Sequence, residues 1–113
     1  MNRIVRLLDL VDDANLIRAY RKHHEAGAVW PEVTAHLAHQ GFLQMEIWQA
    51  GDRLVMIAEV TADFPRPVES SPKNVEWERT MDKFQRALSF APPGVKWVDA
   101  ACIFDLREQG IAG

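Results

Sequence analysis

The chain opens on an apolar run in which Ile4, Val5, Leu7, Leu8 and Leu10 are interrupted only by Arg6 and Asp9 and closed by Asp12-Asp13. This density of aliphatic residues predicts a strand over Arg3–Leu10. From Ala14 to His24 the spacing lengthens to a helical period, with Leu16, Tyr20 and His24 in one row and Ile17 beside it. Arg18, Arg21 and Lys22 point elsewhere, and either of the preceding aspartates can cap this helix. Glu25-Ala26-Gly27-Ala28 breaks the pattern. Pro31 then suits a first helical position, Val33, His36, Leu37 and Gln40 share a face, and Gly41 is a helix stop. Phe42–Trp48 and Arg53–Val60 read as two strands joined by the turn Gln49-Ala50-Gly51-Asp52. Leu54-Val55-Met56-Ile57-Ala58 is apolar at both strand parities, which predicts a strand covered on both sides.

Thr61–Pro72 carries three prolines and reads as a loop. Ser71-Pro72 is a cap and first-position pair, and the helix it starts runs to about Leu88 with Trp77, Met81, Phe84 and Leu88 on one stripe. Lys96–Leu106 reads as the last extended segment, followed by a loose tail from Arg107 to Gly113. The order strand, helix in two pieces, strand, strand, helix, strand is the split βαβ pattern of a ferredoxin-like α+β sandwich, here as one domain over residues 1–113. Helices then lie on one face of an antiparallel sheet. The bare face carries part of Met45, Ile47, Val55 and Ile57, or their alternate neighbours. A bare apolar sheet face usually meets a partner, and a homodimer with sheets packed face to face is the simplest solution.

Composition narrows the function classes. A formal charge of −3 without a Lys/Arg stripe gives no electrostatic basis for nucleic acid binding. No apolar run is long enough for a membrane span, and the N-terminus is not a secretory signal. The one cysteine, Cys102, has no internal partner for a disulfide, which fits a reducing, cytoplasmic setting.

The candidate chemistry concentrates between Ala19 and Gly41, which holds all four histidines and the only tyrosine. Tyr20 and His24 share a helix face and can form a proton-handling pair; a half-buried Tyr and a helix-terminal His that favours the helix dipole is the plainer account of the same spacing. His36 and His39, with His23 or His24, can ligate a metal, although solvated helix histidines explain them as well. The four tryptophans can stack on sugar C–H faces or fill the core. Glu46 and Glu59 are unusual inside strands, where either can accept from a hydroxyl or face solvent.

Tyr20-x-x-x-His24, Trp30-Pro31-Glu32, Leu37 with Gly41, Met45-Glu46-Ile47, Leu54-Val55-Met56-Ile57-Ala58-Glu59 and Trp77-x-x-x-Met81 together resemble the L-rhamnose mutarotase family. The likeness runs to Phe104-Asp105-Leu106. Met45-Glu46-Ile47-Trp48 and Gly94-Val95-Lys96-Trp97 look especially like members acting on L-fucose. The resemblance implies a dimeric α/β-barrel type of fold, no metal, no organic cofactor, and interconversion of the anomers of a 6-deoxy-hexose. The family's catalytic acid falls on His24 and its substrate-contacting tyrosine on Tyr20. A second substrate tyrosine falls on Met45, and a Trp-Trp pair falls on Trp77 and Glu78. Trp77 and Met45 would meet the C6 methyl, and Gln44 or Glu46 would bind hydroxyls. Two other readings fit the same pattern: a cofactor-free monooxygenase of the dimeric α/β-barrel type, and a non-catalytic dimeric module. Fold alone separates none of the three.

Overall fold

A computed structural model describes residues 2–110. The elements are β1 (Asn2–Leu10), α1 (Ala14–His23), α2 (Pro31–Gln40), β2 (Phe42–Ala50), β3 (Arg53–Val60), α3 (Pro72–Asp82), β4 (Gln85–Arg86), β5 (Val98–Asp99) and a short 3₁₀ turn over Leu106–Gln109. Each helix start has a local cause. The Asp13 carboxylate accepts from the backbone N–H groups of Asn15 at 2.9 Å and Leu16 at 3.0 Å, so the second aspartate is the cap of α1. Pro31 opens α2 with its φ already near the helical value. The Ser71 hydroxyl accepts from Asn74 N–H at the start of α3. Gly41 ends α2 at φ +112°, and a Cβ there would sit 2.5 Å from Thr61 Oγ1, so the position demands glycine twice over.

The strands are antiparallel in the order β2-β3-β1-β4, with β5 also on β1. This is the ferredoxin-like order, with the fourth position filled by two short pieces. β4 pairs with Asp9 and Leu10, and β5 pairs with Arg6 and Leu7. The final strand is therefore far shorter than Lys96–Leu106. The expected helix to Leu88 also stops early, at Asp82. Phe84 and Leu88 are buried as expected, but beyond the helix, because the chain turns to pair with β1. Phe84 C=O accepts from Val11 N–H at 2.8 Å, and Arg86 reaches the carboxylates of Asp52 and Asp9. The tail, expected loose from Arg107, forms a turn as far as Gln109 that is capped by Asp105; its last residues, 111–113, lie outside the described range.

Alternation along the strands sorts the two sheet faces. Leu8, Leu54, Met56, Ala58 and Val60 are buried on one face, as is Leu10, opposite Gln85. Leu10, Leu54, Tyr20, Val33, Trp77, Met81 and Phe84 form one core cluster. Each fully buried aliphatic side chain contributes about 1.5–3 kcal/mol relative to exposure. The opposite face carries Val5 and Leu7 beside Ile57 and Val55, all half-buried. Of the four residues expected on the bare face, Val55 and Ile57 lie there. Met45 and Ile47 pair with Ala58 and Met56 and so point to the helix side, past an irregularity in register between Phe42 and Gln44. Asp9, buried at the sheet end, accepts from Arg53 Nε at 2.8 Å. That hydrogen bond holds its carboxyl below the usual range, against the opposing effect of burial.

Candidate active site

The last turn of α1 lays Tyr20 and His24 against each other over the helix-side face of the sheet. Their ring centroids are 4.2 Å apart. Tyr20 is 4% exposed and belongs to the core; His24 is half-buried where α1 ends. His24 Nδ1 lies 2.7 Å from the Tyr20 carbonyl oxygen. A carbonyl oxygen only accepts, so Nδ1 carries the proton and donates it. Nε2 is then the nitrogen free to exchange protons. Burial pushes the His24 pKa below its ordinary 6.5, partly offset by the bond to the Tyr20 carbonyl, with His23 adding to the decrease. His24 is therefore neutral near pH 7, with a bare Nε2. Burial pushes the Tyr20 phenol in the other direction, above its ordinary 10.0, so the phenol keeps its proton. The Gln85 amide beside it opposes that rise, and Glu78 adds to it. A bare imidazole nitrogen thus sits next to a protonated phenol: one group ready to take a proton and one ready to give it.

Aromatic packing holds this pair. The Trp77 ring meets His24 edge-on at 5.6 Å and Trp30 at 5.3 Å, and His23 meets Phe84 at 5.4 Å. Tyr20 and His24 form a wall common to two cavities. One, of about 450 Å³, lies toward the hairpin and is lined by Arg21, Ile47, Trp48 and Gln49. The other, of about 340 Å³, lies under α3 and is walled by Met45, Ile47, Met56, Trp77, Met81 and Trp97, with Thr34, Glu78 and Gln85 as its other polar residues. A mostly apolar cleft with a few convergent polar groups is the usual form of a small-molecule site.

The sequence-predicted residues divide cleanly. His24, Tyr20, Met45, Trp77 and Glu78 come together around the α3 cavity. The Glu78 carboxylate accepts from Lys96 Nζ at 2.9 Å, so it enters the site as half of an ion pair. Gln44 and Glu46 are not brought there. They pair with Glu59 and Ile57, face the opposite side of the sheet and line a separate recess of about 270 Å³ with Arg3. His36 and His39 line a recess on α2 away from His24, and among the described residues no three His, Cys, Asp or Glu side chains converge as a metal-ligand set. Gln85, Thr34 and Arg21 also border the cavities, and no spacing signal marks them. Gln85 in particular lies in a stretch that reads as helix.

The sequence model of the L-rhamnose mutarotase family matches residues 3–106. The chain belongs to the L-rhamnose mutarotase family. The family is one of carbohydrate isomerases, so the pair at the cavity junction is set in an enzyme. An L-fucose mutarotase of Xanthomonas campestris pv. campestris is 42% identical, over 96% of this chain and 90% of that protein. A Dictyostelium discoideum protein is 37% identical, over 88% of this chain and 85% of its own length. The solved structure of an L-rhamnose mutarotase from Formosa agariphila superposes with a TM-score of 0.68 at 16% identity, over 94% of this chain and 99% of that one, and shares the fold. Among the described residues no helix is long and apolar enough to cross a membrane.

Proposed function

We propose that this member of the family interconverts the α and β anomers of a 6-deoxy-hexose, L-fucose ahead of L-rhamnose, without a cofactor. One observation carries the reading: His24, its Nδ1 tied to the Tyr20 carbonyl, packs against the Tyr20 ring at the junction of two cavities, where burial favours the neutral form of both groups. Mutarotation needs that combination. Opening the pyranose breaks the C1–O5 bond. The hydroxyl proton on O1 leaves to a base, and O5 takes a proton from an acid. Rotation about C1–C2 exposes the other face of the new aldehyde. Reclosure forms C1–O5 again and returns both protons, so no electrons are exchanged with the protein. The sequence resemblance casts His24 as the acid. The resting tautomer favours the complementary assignment for the opening step, in which Nε2 takes the O1 proton and Tyr20 supplies O5. On reclosure His24, now protonated, gives the proton back. By microscopic reversibility both groups act in both senses. Positioned acid–base catalysis of this kind contributes about 10²–10⁴-fold.

The preference for a 6-deoxy sugar is supported by the wall of the α3 cavity, where Met45 and Trp77 offer an apolar surface to a C6 methyl. Glu78, held by Lys96 on the cavity wall, accepts from a ring hydroxyl in this reading. L-Fucose is favoured by the 42% identical relative that bears that name. Exchange NMR of the anomeric protons tests the reading directly. Catalytic amounts of protein should accelerate anomer exchange of L-fucose more than that of L-rhamnose, and His24→Ala should abolish the effect; no acceleration with either sugar refutes it.

The chain acts in this reading as a cytoplasmic homodimer. Val5, Leu7, Val55 and Ile57 leave an apolar strip on the uncovered sheet face, and Ile103 is 95% exposed on the segment that runs beyond β5. Sedimentation equilibrium should return twice the chain mass, and Ile57→Asp should shift it to the single-chain mass.

A further inference from the structure

Gln85 has no assigned part in this chemistry, yet it holds the one anomalous polar atom of the site. Its Oε1 is buried without a hydrogen-bond partner, alone in that respect among the buried side-chain oxygens and nitrogens of the described residues. Buried acceptors are nearly always paired, because an unpaired one has given up water for nothing. This one lines the α3 cavity with Tyr20 and His24. Thr34 and Glu78 on the same wall, by contrast, each already have a hydrogen-bond partner. Thr34 Oγ1 donates to the Pro31 carbonyl at 3.1 Å, and Glu78 is bound to Lys96.

The backbone fixes Gln85 where it stands. It is the first residue of β4 and pairs with Leu10 of the core, while its neighbour Arg86 is tied to Asp52 at 2.8 Å. The side chain therefore shares the helix-side face with Leu10 and enters the cavity from the sheet. Its amide end lies against the Tyr20 phenol. Its Oε1 faces this packing without a partner of its own.

We propose that Gln85 is a substrate-binding residue, whose Oε1 accepts a hydrogen bond from a secondary ring hydroxyl of the sugar. This rests on the mutarotase reading above and extends it from the two reacting oxygens to the rest of the ring. The ligand group must be a hydroxyl on a ring carbon other than C1. A methyl has no proton to donate, and the ring oxygen has none until the ring opens. The residue thus sets which hydroxyl configuration the site accepts.

The test uses anomer-exchange NMR on the better of L-fucose and L-rhamnose and on its 2-, 3- and 4-deoxy analogues, with the intact protein, Gln85→Met and Gln85→Glu. Wild type should discriminate about tenfold or more against one deoxy analogue, as expected for a hydroxyl matched to a buried acceptor. Gln85→Met should lose about tenfold or more in kcat/KM on the parent sugar and should no longer distinguish that analogue. Its melting temperature should be equal or higher, since the unpaired oxygen is gone. Gln85→Glu keeps an acceptor and should keep the discrimination; it also serves if the Met variant does not fold. Retained kcat/KM with intact discrimination in Gln85→Met, or loss of discrimination in Gln85→Glu, overturns the role of Gln85 alone. Absence of exchange in wild type overturns the mutarotase reading and this proposal with it.

Discussion

Acidifying the solution should switch the reaction off through His24, and the direction of the effect separates the two ways in which this imidazole can serve. Its Nδ1–H is committed to the Tyr20 carbonyl at 2.7 Å, so in the proposed mechanism Nε2 is the nitrogen left to exchange protons with substrate. If the neutral form is the working one, enzymatic rate follows the deprotonated fraction. That fraction falls about tenfold per pH unit below the midpoint and is flat above it. Burial places the midpoint below the ordinary 6.5. At pH 7.5 at least about nine-tenths of the protein is then in the working form, and the rate at pH 6.5 is still more than half of the plateau. Replacing His24 by Ala should lower the plateau by about 10²–10⁴-fold, or about 3–5 kcal/mol of transition-state stabilisation. The assay is the anomeric exchange rate from pH 4.5 to 8.5, with the protein-free rate subtracted at each pH because free sugars mutarotate faster in acid and in base. A protein-dependent rate that rises as pH falls from 7.5 to 5.5 refutes the base-first assignment. So does a midpoint above 6.5. A His24→Ala variant with undiminished rate refutes any proton-transfer role for the residue.

Met81 is 1% exposed at the centre of the core cluster, so Met81→Ala should cost about 2–5 kcal/mol and lower the melting temperature by roughly 8–20 °C in calorimetry. Gln44→Ala and Glu46→Ala, on the sheet face away from His24, should leave kcat/KM within about twofold, and a large loss for either would place the substrate on that face. Asp9 is held below its unfolded pKa by Arg53, so its contribution to stability is present above that value and lost as pH falls through the folded one. Asp9→Asn should therefore be less stable than wild type in urea at pH 7, with the difference shrinking toward pH 3.

Where local chemistry acts alone, the sequence determined the structure closely. Asp13, Pro31 with Gly41, and Ser71-Pro72 bound their helices because caps and φ restrictions operate within one turn. The four-residue spacing of Tyr20 and His24 sufficed to place them on one helix face, as their 4.2 Å ring separation bears out. The succession of elements carried the fold class, and the residues quoted for the family carried the membership. Three features needed the folded chain. The face taken by each β2 side chain depends on its register with β3, and a segment apolar at both parities does not declare it. Pairing of Met45 with Ala58 sends Met45 inward and Gln44 and Glu46 outward. The end of α3 depends on competition from β1, whose Asp9 and Leu10 draw Gln85 and Arg86 into the sheet where the Trp77–Leu88 stripe alone would continue a helix. The free ring nitrogen of His24 and the unpaired oxygen of Gln85 follow from contacts made only after α1, β4 and the sheet have packed. Caps and periodicity are written between near neighbours in the chain. Register, strand competition and side-chain satisfaction are settled between residues distant in sequence, where several pairings fit the same pattern and only packing of the whole selects one.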